Sequence, residues 1–85
     1  MGWFSSSKSY FSANDWDVNS APTANGEDVY AVRYGSRELV GSVPNYSGIM
    51  RCRWWKMPEG YVIFVTCKDG EAYNIYENTV EKHTL

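Results

Sequence analysis

The sequence has little leucine, and it has no long apolar run. Leu39 and Leu85 are its two leucines, whereas valine occurs eight times and tyrosine seven times. β-Branched and aromatic side chains fit pleated strands, so this balance favours sheet over helix. No stretch approaches the ~20 consecutive apolar residues that a membrane-spanning helix needs. The composition therefore excludes a protein that crosses a membrane by helices.

Cysteine is also scarce. Cys52 and Cys67 are too few for a disulfide scaffold or for a closed zinc site. The apolar pair Trp3-Phe4 is followed at once by serines and a lysine, which is too short for the apolar core of a signal peptide. We therefore expect a cytoplasmic protein with two free thiols, in which buried cysteine acts as a small apolar residue.

Residues that carry catalysis are equally rare. The single histidine, His83, lies two residues from the C-terminal end of the sequence, where chains are usually poorly ordered. The sequence contains no glycine-rich phosphate loop, metal-ligand cluster or nucleophile motif. We expect a protein without enzymatic activity, cofactor or metal.

What the sequence does contain is aromatic residues. Four Trp, seven Tyr and three Phe make up 16% of the residues, which is too high an aromatic content for a disordered protein. The chain has 85 residues, which is enough for one domain at most. The net charge of −2 arises within residues 1–27, and residues 28–85 are neutral. Nucleic-acid binding through the whole surface is therefore disfavoured, because such proteins are usually basic.

The chain divides near residue 27. Residues 28–85 show strand patterns and are predicted to form an antiparallel β domain, whereas residues 1–27 are an arm whose segment 19–26 has the turn residues of a linker. The arm either folds back on the β domain or orders on a partner. It carries five large aromatic side chains that need apolar surface elsewhere: Trp3, Phe4, Tyr10, Phe11 and Trp16.

The predicted fold is all-β, either a small five-stranded antiparallel meander or an SH3-like, partly open barrel with an irregular N-terminal arm. Five short strands and the Trp54-Trp55 pair resemble SH3-like barrels in outline, but that family's peptide-groove residues are not recognisable, so the resemblance implies a fold only. The tail 78–85 is predicted as a short strand or one helical turn. The predicted strands are Val29–Tyr34, Glu38–Val43, Ile49–Lys56, Tyr61–Lys68 and Glu71–Glu77.

Two turns set the strand register. Asp69-Gly70 is predicted as a two-residue hairpin loop, which places Phe64 opposite Ile75 and Thr66 opposite Tyr73. The turn within 57–60 is left open. If Glu59-Gly60 form it, Cys52 and Cys67 face each other and could bridge. If Pro58-Glu59 form it, the two thiols are diagonal neighbours, too far apart for an unstrained disulfide.

Segment 50–56 alternates basic and apolar residues, so Arg51, Arg53 and Trp55 share one face of a strand. With Phe64 and Tyr73 they would form a platform for stacking bases and neutralising phosphates of single-stranded nucleic acid. The same residue types supply hot spots of protein interfaces. A purely structural role in cross-strand pairs is the third interpretation.

We therefore expect a protein-interaction module, such as a small accessory, assembly or inhibitor protein of the kind that viruses and phages encode. It would dock on a partner protein or on a second copy of itself through its aromatic N-terminal arm and its β-sheet surface, without a membrane. Single-stranded nucleic-acid binding is the alternative. The candidate partner-binding residues are Trp3, Phe4, Tyr10, Phe11, Trp16, Trp54 and Trp55.

Overall fold

The computed structural model describes residues 8–12, 16–33, 35–44 and 48–83. They form an all-β fold, as the composition predicts, and these ranges contain no helix long and apolar enough to cross a membrane. The strands are β1 (Asp17–Thr23), β2 (Gly26–Arg33), β3 (Ser36–Val43), β4 (Ile49–Met57), β5 (Gly60–Cys67), β6 (Ala72–Ile75) and β7 (Val80–Lys82).

The strands form two open antiparallel sheets, one in the order β1-β2-β3 and the other β4-β5-β6-β7. The antiparallel prediction is confirmed. The prediction of five strands is wrong, because β1 and β7 add one strand to each sheet. The sheets are open and do not close into a barrel, so β4 remains an edge strand of its sheet.

β1 is the main departure from the sequence-based division. Residues 19–26, interpreted as a linker, form most of this strand and the two-residue turn that joins Thr23 to Gly26. Proline is tolerated at a sheet edge because its missing N–H can face outward. Pro22 therefore fits in β1, an edge strand of the three-stranded sheet.

The core lies between the two sheets. β2 and β3 contribute Val29 and Val43, and the four-stranded sheet contributes Ile63, Val65 and Ile75 among others. In an antiparallel sheet with one inner face and one solvent face, the side chains of each strand alternate between the core and the solvent. A face-to-face sandwich is therefore the arrangement that buries the valine-rich strands.

The β4–β5 hairpin has the Pro58-Glu59 turn, with Met57 paired to Gly60. The predicted common face of Arg51, Arg53 and Trp55 is confirmed, and Cys52 and Trp54 pair with Val65 and Ile63 on the inner side. Cys52 and Cys67 are both free thiols, as expected for diagonal neighbours.

The predicted register between β5 and β6 is wrong by one residue. The loop has three residues, 68–70, with Gly70 at φ 93° and the Cys67 N–H donating to the Glu71 carbonyl at 2.9 Å. Thr66 therefore pairs with Ala72, and Val65 pairs with Tyr73. Because side chains alternate between faces, this slip moves Tyr73 to the inner side, where it is 8% exposed.

The tail forms β7, so the strand alternative predicted for it is the one observed. Val80 pairs with Ile75, and Lys82 pairs with Tyr73. The His83 N–H continues the ladder by donating to the Ala72 carbonyl at 2.8 Å. The ring of His83 is thereby brought beside the middle of the sheet.

Residues 8–12 of the arm fold back on the β domain. Phe11 exchanges two backbone hydrogen bonds with Tyr61, both 2.9 Å long, and its ring meets Trp54 edge to face at 5.3 Å. The Ser9 carbonyl accepts from the Glu77 N–H at 2.8 Å. The arm therefore lies beside β5, next to the end of β6.

Gly60 allows this approach. A Cβ at this position would lie 2.8 Å from the Tyr10 Cβ and 2.9 Å from the Phe11 carbonyl oxygen, and the backbone has φ 153°. Tyr10 in turn meets Tyr76 edge to face at 5.3 Å, and Tyr76 is 5% exposed. The described part of the arm thus finds its apolar surface on this chain.

Candidate functional site

The candidate site is the solvent side of the four-stranded sheet, here called the outer face. β4 alternates along its length, with Arg51, Arg53 and Trp55 exposed and Cys52 and Trp54 turned inward. Residues paired across the sheet share a face, so Arg53 aligns with Phe64 of β5 and Asn74 of β6. The outer face is defined by Arg51, Arg53, Trp55, Met57, Phe64, Asn74 and His83.

A shallow groove of about 230 Å³ crosses this face, and every residue of the outer face except Arg51 lines the groove. We call it the Trp55 groove. The rings of Trp55 and Phe64 are 6.1 Å apart, and the ring of His83 meets Phe64 edge to face at 5.3 Å. Asn74 Nδ2 lies 3.4 Å from His83 Nδ1. The groove therefore offers apolar ring surface with a polar rim.

Trp55 is 48% exposed, which is unusual for so large an apolar side chain. The guanidinium carbon of Arg53 lies 5.3 Å from the centre of its ring. A cation at this distance from a tryptophan face is attracted by the ring quadrupole. Arg53 thus holds the indole while leaving much of its surface open to solvent.

The charge of the outer face is unbalanced. Arg51 and Arg53 form no ion pair with the described residues. The two ion pairs within those ranges join Lys8 to Glu81 at 3.4 Å and Lys82 to Glu71 at 2.9 Å. A chain with a net charge of −2 therefore presents a local cationic patch beside the groove.

A second groove, of about 180 Å³, lies near the arm and includes Trp16, Leu39 and Trp54 in its lining. Leu39 is 55% exposed on β3, but Glu38 and Glu77 also line this groove and give it acidic character. Leu39 therefore lies in a groove whose two charged lining residues are both acidic.

The two thiols face the interior. Burial raises the pKa of Cys52 from its ordinary value of 9.0 to about 11, with the Glu27 carboxylate adding to the effect. Burial likewise raises the pKa of Cys67. Because the thiolate is the reactive form, raised pKa values make both cysteines poor nucleophiles at neutral pH.

The structure separates the predicted partner-binding residues. Trp3 and Phe4 lie outside the described residues. Tyr10 and Phe11 pack against the chain's own β domain. Trp16 and Trp54 are joined, because the Trp54 indole N–H donates to the Trp16 carbonyl at 2.7 Å. Of the described members, Trp55 is the large aromatic that remains exposed.

The predicted nucleic-acid platform is only partly assembled. Arg51, Arg53, Trp55 and Phe64 share the outer face, as the sequence predicts. Tyr73 lies on the opposite side of the sheet within the core, because of the register difference after β5. The platform therefore has two aromatic rings from the predicted set in place of three.

Sequence reasoning missed three residues of the Trp55 groove: Met57, Asn74 and His83. His83 was expected in a poorly ordered end, but pairing of β7 with β6 fixes its position. The strand alternative for the tail could have indicated an ordered His83, but it gave no register that would place His83 beside Ala72. The signal for Asn74 was hidden by the one-residue error in register.

No group of three or more His, Cys, Asp or Glu residues that could hold a metal ion occurs within the described ranges. Comparison of the chain with protein families, with curated proteins and with solved structures finds no match. The outer face and its charges therefore carry the functional argument.

Proposed function

We propose that this protein is a non-enzymatic protein-interaction module that docks on a partner protein through its outer face. The observation that carries the proposal is Trp55, a half-exposed tryptophan in an apolar groove, beside two arginines that form no ion pair with any residue that the structure describes. Trp and Arg dominate interface hot spots, and they do so when a surrounding rim excludes water. A small accessory, assembly or inhibitor protein would use such a surface.

The sheet supports this role better than the arm does. The ring of Phe11 packs against Trp54 and its backbone is hydrogen-bonded to Tyr61, so release of the arm would break both contacts. Trp55 is available for a partner without breaking such contacts, because its described ring contacts are with Arg53 and Phe64 at the rim of an open groove. We therefore assign docking to the outer face and assign the described part of the arm to stability.

The test compares two exposed apolar residues on different sheets. Trp55→Ala removes the proposed anchor, and Leu39→Ala is its matched control because both side chains are about half exposed. Each protein is immobilised, proteins retained from a lysate of the native source are identified by mass spectrometry, and a retained protein is then purified and titrated. Loss of a hot-spot tryptophan costs about 2 kcal/mol or more, which lowers affinity about 30-fold.

The proposal predicts that Leu39→Ala binds the purified partner like the unmodified protein, whereas Trp55→Ala does not. A second pair refines the result. Arg53 lies over Trp55, and Arg37 lies over Tyr30 on the other sheet at 4.2 Å, so Arg53→Glu and Arg37→Glu remove equivalent contacts. Equal binding by all four variants would contradict docking through the outer face.

Single-stranded nucleic-acid binding is the second candidate function, and it is favoured by the shared face of Arg51, Arg53, Trp55 and Phe64. Stacking on an aromatic ring contributes about 1–3 kcal/mol per base, and the arginines would contact phosphates. The expected result is quenching of tryptophan fluorescence by an oligothymidylate at low salt. Absence of quenching at low salt would remove this candidate.

A further inference from the structure

Within the described residues, β4 has one unpaired edge, here called its outer edge. β4 spans nine residues and stands at the end of the order β4-β5-β6-β7, with β5 as its neighbour in the sheet. Among the described residues no strand pairs with its other side. An edge of this length presents backbone donors and acceptors to any extended chain that reaches it.

The direction of those backbone groups follows from the arm. The N–H and carbonyl of Tyr61 are bonded to Phe11, so they point away from β4. Opposite residues of an antiparallel pair alternate between bonded and non-bonded pairs. Lys56, which faces Tyr61, therefore directs its N–H and carbonyl to the free edge, and alternation gives the same direction to Trp54 and Cys52.

The side chains between these positions are the ones on the outer face. Arg51, Arg53 and Trp55 direct their backbone groups to β5, so they would form the non-bonded pairs with an added strand. Side chains in non-bonded pairs approach most closely across an antiparallel ladder. A strand beside β4 would thus place every second side chain against Arg51, Arg53 and Trp55 in turn.

We propose that the outer edge of β4 accepts an extended acidic segment of a partner protein as an added strand. Two carboxylates at alternate positions would face Arg51 and Arg53, and an apolar side chain at the next alternate position would pack on Trp55 at the Trp55 groove. Backbone bonds supply affinity and alternate side chains supply specificity in this binding mode. The inference rests on the proposed function and names the chemistry of its partner.

The positive charges along β4 argue against two other occupants of this edge, a second copy of the chain and a nucleic acid. A second copy paired through β4 would bring a second set of Arg51, Arg53 and Lys56 to one seam, and like charges across strands are destabilising. Nucleic acid would find only a few cations here, whereas strong binding at physiological salt commonly neutralises about 6–10 phosphates. A short acidic segment matches both the number of arginines and the exposed tryptophan.

The test uses synthetic peptides and the full chain. The acidic probe is Thr-Leu-Thr-Glu-Thr-Glu-Thr together with its reversed sequence, which covers both strand directions. One control replaces both Glu by Lys, and a second has the same composition but places the two Glu on opposite faces. Binding is measured by fluorescence anisotropy of labelled peptide, and an oligothymidylate is measured in parallel.

The acidic probe is expected to bind about tenfold more tightly than the Lys control, because two exposed ion pairs are lost, and about threefold more tightly than the opposite-face control, because one exposed ion pair is lost. Arg51→Glu with Arg53→Glu should reverse the preference toward the Lys peptide, and Arg37→Glu should leave it unchanged. Equal binding of acidic and Lys probes, or tighter binding of the oligothymidylate, would overturn the inference.

Amide hydrogen exchange locates the added strand. Bound acidic peptide should slow exchange at Cys52, Trp54 and Lys56 at least tenfold, while Arg51 and Arg53, whose N–H groups already bond β5, change little. Binding without this alternation would overturn strand addition. The same protection appearing without peptide as protein concentration rises would instead assign the edge to a second copy.

The two proposals fail separately. If Trp55→Ala abolishes capture of a purified partner but acidic probes do not bind, the acidic-strand inference is wrong and docking through the outer face stands. If partner binding is unaffected by Trp55→Ala, the proposed function is wrong whatever the probes do.

Discussion

Replacing the single hydrogen of Gly41 by a methyl group tests how closely the two sheets approach. A Cβ on Gly41 would lie 2.9 Å from Val80 Cγ2 and 3.0 Å from Ile75 Cγ2. Both neighbours are β-branched and stiff at χ1, and Ile75 is fully buried. Gly41→Ala can therefore be accommodated only if β3 moves away from β6 and β7.

The magnitude follows from two opposing effects. Adding a methyl group to a packed core costs about 1–3 kcal/mol. Replacing glycine by alanine lowers the entropy of the unfolded chain and recovers about 0.4–1 kcal/mol. We expect a net loss of about 1.5 kcal/mol in the free energy of unfolding, which lowers the Tm of a domain this small by roughly 6–12 °C.

The assay is thermal and urea unfolding followed by circular dichroism. Ser36→Ala, at an exposed position of β3, is the matched control and should leave Tm unchanged. Val80→Ala makes room for the new methyl group, so the double variant Gly41→Ala/Val80→Ala should be more stable than the sum of the single effects by about 0.5 kcal/mol or more. Strict additivity, or an unchanged Tm for Gly41→Ala, would refute the packing argument.

Three further predictions concern the arm and the thiols. Phe11→Ala should lower the free energy of unfolding by about 2 kcal/mol, since the half-buried ring loses roughly half the value of a fully buried one, whereas exposed Ser12→Ala should have no effect; equal stability of both variants would contradict docking of the arm. Gly60→Ala should release the arm because of its clash with Tyr10, seen as faster proteolysis within residues 1–12 than in the unmodified protein. Burial raises the pKa of Cys52 from 9.0 to about 11, so its neutral form stabilises the fold fully below pH 9, and stability should fall as pH rises from about 9 to 11; a Cys52→Ala variant should show a weaker fall.

The part of the fold that sequence predicts best is the β4–β5 hairpin. Basic and apolar residues alternate in β4, and both candidate turns within 57–60 place the same residues toward the core, so the faces are predictable although the sequence leaves the choice of turn open. β1 escaped detection because Asn19, Ala21 and Pro22 have weak strand propensity, and pairing with β2 outweighs that local preference.

The register after β5 shows a different limit. Asp69-Gly70 suits both a two-residue loop and a three-residue loop with glycine last, and the choice between them moves every later side chain to the other face. Burial of Tyr73 and Ile75 in the common core favours the longer loop. Local turn chemistry alone does not contain that information.

The same limit explains the site. Arg51, Arg53, Trp55 and Phe64 belong to a hairpin whose two candidate turns give the same faces, and they were grouped correctly. Asn74 and His83 reach the Trp55 groove through β6 and β7, whose positions depend on tertiary packing. A site composed across several strands is therefore visible from sequence only as far as the register is known.

Contacts between the arm and the last strands also determine when the arm can dock during synthesis of the chain. Lys8 pairs with Glu81, and Ser9 accepts a hydrogen bond from Glu77. The arm therefore cannot complete its contacts until nearly the whole described chain has been synthesised. At about 5–20 residues per second this delay lasts roughly 4–15 s. During synthesis Tyr10 and Phe11 remain without their final partners, and the nascent chain carries an exposed aromatic segment that a chaperone can bind.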